Sequence, residues 1–234
     1  MRCYNNIVKL KEAYMDVVYI LLSVVVSYLL GSVNSAIIVS KALYKEDVRT
    51  HGSGNAGLTN ILRTYGAKAA LLTLIGDMLK AVLAILFASM FFGLNYQSGI
   101  SQSPYCYLAG AAAVIGHVFP IFYQFKGGKG VLVAATMALV LCPLNFAALL
   151  AIFILTVLIT RYVSLGSIIV AALLPVTVGL YIRLGCGVAA SPIIILTTVF
   201  LGAFVIWCHR SNIKRLLAGN EKKISVGGKK KSND

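Results

Sequence analysis

The chain has 234 residues, of which 59% are hydrophobic and only 12% charged, whereas a soluble domain carries roughly 25% charged residues. Apolar runs of about 15–25 residues recur along its whole length, which indicates a polytopic α-helical membrane protein without room for a separate soluble domain. The net charge of +14 does not indicate a nucleic-acid partner, because the basic residues cluster in short loops and a C-terminal tail.

The apolar runs predict an all-α, compact bundle of about seven transmembrane helices, at 17–40, 69–93, 105–123, 130–144, 145–160, 164–183 and 192–208. We expect the first to be a retained helix and not a cleaved signal peptide. The fourth and fifth meet at Cys-Pro-Leu-Asn, which is compatible with a kink or with a re-entrant hairpin. Residues 1–224 are expected to form a single integral membrane domain, and residues 225–234 a basic disordered tail.

The basic residues orient this bundle. Most of the 21 lysines and arginines lie in the loops after the first, third and fifth helices and in the tail. The positive-inside rule places those segments in the cytoplasm, so an odd number of helices puts the N-terminus outside. We expect the basic tail to contact anionic membrane lipids.

The loop after the first helix reads His-Gly-Ser-Gly-Asn-Ala-Gly-Leu-Thr-Asn-Ile-Leu-Arg over residues 51–63. Glycines let backbone N–H groups converge on an anion, hydroxyl and amide side chains add donors, and the helix predicted to start at Thr59 favours a phosphate at its N-terminus. The loop therefore predicts a phosphate cradle, with an ordinary re-entrant turn as the alternative. Its candidate residues are His51, Gly52, Ser53, Gly54, Asn55, Thr59, Asn60 and Arg63.

A second loop, before the fourth helix, contains Lys-Gly-Gly-Lys-Gly at residues 126–130. It again combines bare backbone with ammonium groups, which suits a phosphate, although it lacks the spacing and the hydroxyl of a Walker A loop. The alternative is a positive-inside anchor with a flexible turn. The candidates here are Lys126, Gly127, Gly128 and Lys129, with the glycine N–H groups as close donors.

The seventh helix ends in a third polar segment. His209 and Asn212 are three residues apart, so on a continuous helix they share a face, and we expect them to belong to the site. Three basic neighbours are expected to face lipid headgroups instead: Arg210, Lys214 and Arg215. In the turn before the sixth helix, Ser164 is expected to cap that helix, with donation to a bound anion as the alternative.

Asp77 and Lys80 lie one helical turn apart within the second predicted helix, where they can pair. Ionisable groups at membrane depth are costly and suggest a function, but a structural ion pair is equally compatible. The chain has only seven acidic residues and five scattered cysteines. We therefore expect no metal site and no cofactor.

These segments, in this order and spacing, closely resemble the motifs of the bacterial acyl-phosphate-dependent glycerol-3-phosphate acyltransferases, from about Gly31 to Ile224. The resemblance implies a seven-helix enzyme of the bacterial inner membrane with its active site facing the cytoplasm. Such an enzyme moves the acyl group of acyl phosphate to the 1-hydroxyl of glycerol 3-phosphate in phospholipid biosynthesis. The product is 1-acyl-glycerol-3-phosphate, and a further expected partner is the enzyme that supplies acyl phosphate.

By the same resemblance, six residues hold the phosphates of the two substrates and the reacting centre: Ser53, Arg63, Lys129, Ser164, His209 and Asn212. The chain departs from the family at Val33-Asn34, where Ile-Pro is common, so a proline kink in the first helix is not expected. It also has Lys80-Ala81 where Lys-Gly is usual. Neither departure touches the phosphate loops.

Two other classes of protein fit the sequence less well. A transporter for a phosphorylated solute typically shows internal repeats and a midplane site, and neither is visible here. A CDP-alcohol phosphotransferase needs clustered aspartates for metal, which this chain lacks. Acyl phosphate is a mixed anhydride and needs no covalent enzyme intermediate, so no general base is assigned, although His51 and His209 are candidates.

Overall fold

The computed structural model describes residues 2–91 and 99–224, and their side chains from Tyr14 onward; the expected disordered tail lies outside these residues. The described ranges contain no strand and ten α-helices, joined in places by 3-10 turns. The helices are α1 Arg2–Ser32, α2 Ser35–Tyr44, α3 Leu58–Tyr65, α4 Ala67–Phe91, α5 Pro104–Val118, α6 Val131–Leu141, α7 Pro143–Thr160, α8 Val163–Cys186, α9 Pro192–Cys208 and α10 Arg210–Leu217.

Each of the seven predicted helices has a counterpart in the structure. Among the described residues, five segments are long and apolar enough to cross a membrane, or six if α9 and α10, which meet at a 57° bend, form one span. Helix α6 has 11 residues, whereas a crossing needs about 20. The count of seven crossings and the orientation of the termini therefore stay predictions.

The first predicted helix is interrupted between α1 and α2, so the expectation of an unkinked helix was wrong. The side chain of Asn34 accepts a hydrogen bond from the backbone N–H of Ile37, 3.1 Å away, and caps α2. An N-cap asparagine ends the preceding helical pattern by taking an N–H that the helix would otherwise use. The break therefore needs no proline.

Helices α6 and α7 are separated by the single residue Cys142. Its backbone leaves the helical region, with φ −143° and ψ 70°, and Pro143 occupies the first turn of α7. Proline suits this position because the first N–H groups of a helix have no partner within it. The Cys-Pro-Leu-Asn sequence thus contains the break between the two helices.

Two glycines let α1 and α5 pack closely. A Cβ atom at Gly31 would lie 2.2 Å from the carbonyl oxygen of Ala113, and one at Gly116 would lie 2.2 Å from that of Tyr28. Small residues permit such backbone contact between membrane helices. The C-terminal ends of α1 and α5 therefore lie side by side. Helix α1 leads through α2 to the first loop, and α5 leads to the second loop.

Candidate active site

The first loop takes its shape from two glycines and one asparagine. Gly52 and Gly54 have φ values of +63° and +71°, a region that glycine adopts without steric cost. The buried side chain of Asn60 accepts from the N–H of Ser53 and donates to the carbonyls of Val48 and His51, at 2.9, 3.1 and 3.0 Å. Both amide protons of Asn60 are thereby used within the protein, so this side chain holds the loop together.

Other N–H groups of the loop are also engaged internally. Besides the N–H of Ser53, that of Gly54 donates to the carbonyl of His51, and that of Gly57 to the carbonyl of Asn55, each at 3.0 Å. The glycines therefore supply backbone shape more than free donors.

The second loop is folded against the end of α5. The N–H groups of Gly127 and Gly128 donate to the carbonyls of Val118 and His117, both at 3.1 Å. A Cβ atom at Gly127 would lie 2.0 Å from the carbonyl oxygen of His117, and one at Gly128 would lie 2.1 Å from its Nε2 atom. The expectation that these two N–H groups serve as phosphate donors was wrong, because this close packing uses them.

Arg49 joins the two loops, a role that the sequence analysis missed. Its guanidinium forms a two-point ion pair with Asp47, at 3.0 and 2.8 Å. The same group donates to the carbonyls of Tyr123 and Lys126, at 3.0 and 3.2 Å. The ion pair also holds the pKa of Asp47 below its usual value. The one sequence signal was the Asp-x-Arg spacing, which is typical of many surface ion pairs.

The third segment bends at His209, where α9 ends and α10 begins, so it is not the continuous helix that was expected. His209 and Asn212 are nevertheless both buried and both line the same cavity. The Nδ1 atom of His209 lies 2.7 Å from the carbonyl oxygen of Val205. A carbonyl only accepts, so Nδ1 carries the proton, and Nε2 is left as an acceptor in the neutral ring.

Glu221 ties the segment after α10 to the site. Its carboxylate accepts from Ser164 Oγ at 2.8 Å, from Asn212 Nδ2 at 2.6 Å and from Arg215 Nε at 2.7 Å. Burial by itself would raise the pKa of Glu221, but these three donors outweigh it and lower that pKa. Two expectations are corrected, because Ser164 bonds Glu221 and does not cap α8, and Arg215 lines the cavity.

Lys129 lies where the three segments meet. Its ammonium donates to Oδ1 of Asn212. Burial, together with the neighbouring cations Arg215 and Arg63, lowers the pKa of Lys129 to about 8 against an opposing effect of Glu221. A lysine with this pKa is favoured as a cation once a phosphate anion binds beside it.

A cavity of about 720 Å³ brings most of the predicted residues together. Its polar end combines side chains from all three segments, and its remaining walls are formed mainly by apolar side chains of α4 and α6–α9. The predicted residues that line it are Gly52, Ser53, Asn55, Thr59, Asn60, Arg63, Lys129, Ser164, His209 and Asn212.

A smaller cavity, of about 290 Å³, shares one wall with the first, formed by Ser53, Asn55, Lys129 and Arg215. The other predicted residues along it are Gly54, Lys126, Gly127 and Gly128. His51 lines neither cavity; its Nε2 atom instead lies 2.9 Å from the carboxylate of Glu46 at the surface. The structure therefore separates His51 from the other candidates.

The motifs and the helical architecture have counterparts in known proteins. The family model described as "Glycerol-3-phosphate acyltransferase" matches residues 21–219. The chain belongs to the glycerol-3-phosphate acyltransferase family. It is accordingly an acyltransferase and an integral membrane protein, as the resemblance implied.

Individual relatives extend this match over nearly the whole chain. The glycerol-3-phosphate acyltransferase of Trichlorobacter lovleyi is 44% identical over 200 residues, which cover 86% of this chain and 95% of the relative. That of Clostridioides difficile is 41% identical over 219 residues, covering 90% and 98%. The crystal structure of PlsY (YgiH), an integral membrane glycerol 3-phosphate acyltransferase, in its glycerol 3-phosphate form has 32% identity and a TM-score of 0.75. The aligned region covers 88% of this chain and 96% of the PlsY chain.

Proposed function

We propose that this enzyme transfers the acyl group of acyl phosphate to the 1-hydroxyl of glycerol 3-phosphate, giving 1-acyl-glycerol-3-phosphate and inorganic phosphate. One observation carries the proposal: the cavity of about 720 Å³ has a cationic, hydroxyl- and amide-bearing end continuous with an apolar arm between membrane helices. That combination fits a phosphorylated head attached to an acyl chain. The same family includes a PlsY structure in a "lysphosphatidic acid form", which agrees with such a product.

The polar end offers groups for two phosphates. Arg63, Lys129 and Arg215 contribute positive charge, while the exposed Ser53 offers a hydroxyl. Charge-assisted hydrogen bonds to phosphate are roughly twice as strong as neutral ones. Since the shared wall of the two cavities contains Ser53, Lys129 and Arg215, one phosphate on each side would bring the two substrates into contact there.

The apolar arm is suited to the acyl chain. Its walls include Phe146, Leu149, Phe153 and Leu174, from α7 and α8. Burying a methylene group contributes about 0.8 kcal/mol, so a long chain in this arm would anchor the donor. The acyl carbonyl would then lie at the polar end, next to the phosphate.

In the proposed reaction, the 1-hydroxyl oxygen of glycerol 3-phosphate attacks the acyl carbonyl carbon. The new ester C–O bond forms as the bond from that carbon to the phosphate oxygen breaks, and the hydroxyl proton ends on the departing phosphate. Lys129 and Arg63 stabilise the charge that develops on the phosphate oxygens. The Nε2 atom of His209, left as an acceptor by the Nδ1–Val205 bond, orients the attacking hydroxyl. Placing both substrates in this way lowers the entropic part of the barrier.

We further propose that the enzyme lies in the bacterial inner membrane with this cavity open to the cytoplasm. The basic loops 41–68 and 124–130 flank the polar end, which supports that orientation by the positive-inside rule. Glycerol 3-phosphate is then drawn from the cytoplasm. Acyl phosphate comes from a partner enzyme that need not form a stable complex, and anionic lipids contact the basic tail.

The decisive experiment is a product assay with the purified, detergent-solubilised protein in the presence of EDTA. Acyl phosphate and glycerol 3-phosphate should give equal amounts of the 1-acyl product and phosphate, with the position of the ester read by NMR. Acyl-CoA should not replace acyl phosphate as the donor. Turnover only with acyl-CoA, or only after magnesium or zinc is restored, would contradict the proposal.

A further inference from the structure

The buried ammonium of Lys80 contacts its own helix α4, the break between α1 and α2, and the end of α5. Its Nζ atom lies 2.9 Å from Oδ1 of Asp77, 2.8 Å from the carbonyl oxygen of Val33 and 2.9 Å from Nδ1 of His117. The predicted pairing of Lys80 with Asp77 is thereby confirmed. An ammonium has three N–H donors; Val33 and His117 each accept one of them, while Asp77 contacts the ammonium as an ion pair without the geometry of a hydrogen bond. The side chains of Lys80, Asp77 and His117 are 5% exposed or less.

One of these contacts fills a gap that the helix break creates. In a continuous helix the N–H of Ile37 would donate to the carbonyl of Val33. Here that N–H is bonded to the side chain of Asn34 instead, so the carbonyl of Val33 needs another donor, which Lys80 supplies. The Nδ2 atom of Asn34 in turn donates to the carbonyl of Ala56 in the first loop, at 3.4 Å.

Another contact reaches the second loop. His117 accepts from Lys80 through Nδ1, so its neutral ring carries its proton on Nε2. The backbone carbonyl of the same residue receives the N–H of Gly128. A Cβ atom at Gly128 would lie 2.1 Å from Nε2 of His117 and 2.9 Å from the carbonyl oxygen of Ala56. The two loops thus meet at His117.

We propose that Lys80 is a positioning residue that sets the placement of the two phosphate loops relative to each other. Through Val33 and Asn34 it holds the first loop, and through His117 it holds the second. The inference rests on the proposed function only in taking these loops to bind the phosphates. Lys80 does not line the cavity, whereas Asp77 and His117 do, so its effect on substrate is indirect.

The test compares two variants, because removing Lys80 alone would leave the Asp77 carboxylate buried without its partner, which is strongly destabilising. Asp77→Asn keeps the contacts of Lys80 with Val33 and His117, but it leaves the buried ammonium without its carboxylate, so its overall stability is measured beside that of the double variant. Asp77→Asn/Lys80→Met removes them without leaving a buried charge. Lys68→Met is the matched control, since Lys68 is an exposed lysine on the same helix.

Two readouts do not depend on activity. Hydrogen–deuterium exchange should be faster in peptides 51–60 and 124–131 of the double variant than in those of Asp77→Asn, and unchanged in α8. With ¹⁵N-labelled histidine, His117 of the wild type should show the Nε2–H tautomer, and the double variant should lose that preference. The chain has three histidines, so His51→Gln and His209→Gln samples assign the signals.

In kinetics, the KM for glycerol 3-phosphate should rise at least about tenfold from Asp77→Asn to the double variant, with a smaller change in kcat, because loosened loops lose binding common to the ground and transition states. Equal exchange and equal KM in the two variants would overturn the inference. So would faster exchange throughout the chain, which would indicate a general stabilising role. If the wild type shows no turnover with acyl phosphate, the proposed function fails, while the exchange and tautomer results still decide the role of Lys80.

Discussion

Lys129 donates a hydrogen bond to Asn212, a residue 83 positions further along the chain. This contact joins the loop before α6 to α10. Asn212 also donates to Glu221 at 2.6 Å. Its amide group therefore bridges the Lys129 ammonium and the Glu221 carboxylate. The lysine is therefore held in place before any phosphate binds, which reduces the entropic cost of using it.

The first prediction concerns the two cations of the proposed phosphate site. Arg63→Ala and Lys129→Ala should each lower kcat/KM at least about tenfold, because a charge-assisted hydrogen bond contributes roughly 1.5–3 kcal/mol and each decade corresponds to about 1.4 kcal/mol. Arg63→Lys should restore activity only in part, since an ammonium lacks the two-point geometry of the guanidinium. Steady-state kinetics in detergent measure these effects.

The matched control for both variants is Lys214→Ala. Lys214 is exposed on α10 and lines neither cavity, so its loss should leave kcat/KM close to that of the wild type. An equal loss in all three alanine variants would mean that bulk surface charge, and not phosphate binding, underlies the effect.

The second prediction follows from the pKa of Lys129, which burial and the neighbouring cations lower to about 8. A lysine is a cation below its pKa and neutral above it, so kcat/KM should fall as the pH rises through about 8. Substrate phosphates, with a second pKa near 6, are already dianionic there. Lys129→Arg should move this loss to higher pH, because a guanidinium keeps its proton. A pH profile with the same alkaline limb in both proteins would exclude Lys129 as its source.

The third prediction concerns the attachment of Glu221. Glu221→Gln weakens the charge-assisted hydrogen bonds from Ser164, Asn212 and Arg215. The free energy of unfolding should therefore fall by about 1–3 kcal/mol, and the variant should unfold at a lower temperature. Because the folded pKa of Glu221 is lowered, its contribution is complete above the ordinary value of 4.5 and is lost as the pH falls through the folded pKa.

Thermal unfolding of the wild type and of Glu221→Gln, followed at several pH values, tests that dependence. The difference in melting temperature should be largest near neutral pH and should shrink on acidification. A difference that stays constant down to pH 3 would show that the charge of Glu221 is not what stabilises this attachment.

The fourth prediction tests the orientation in the membrane. In a cysteine-free background, a thiol reagent that cannot cross membranes should label Gln102→Cys in intact cells, because Gln102 lies in the exposed turn before α5. It should label Lys45→Cys, exposed at the end of α2, only after the membrane is opened. Labelling of Lys45→Cys from outside would reverse the topology and place the cavity away from the cytoplasm.

Sequence patterns were sufficient to predict the helices and most of the residues that line the polar end of the larger cavity. Long apolar runs predict membrane helices because lipid leaves the backbone no other way to satisfy its polar groups across the bilayer. The resemblance to the acyltransferase family depended on four local motifs in order. Ser53, Arg63, Lys129, His209 and Asn212 all line one cavity, as a shared site requires, and their individual roles stay predictions.

The tertiary structure decided which groups those motifs leave for a ligand. The glycine loops suggested N–H donors, but the N–H groups of Gly54, Gly127 and Gly128 are bonded within the protein. The groups that hold the loops include Arg49, which reaches a carbonyl 74 positions away, and Lys80, which reaches one 47 positions away. Such partners are far apart in the sequence, whereas hydrophobic patterning and motif spacing describe residues within a few helical turns of each other. Those patterns therefore do not predict these contacts. Only the tertiary packing brings Arg49 and Lys80 within hydrogen-bond distance of these carbonyls.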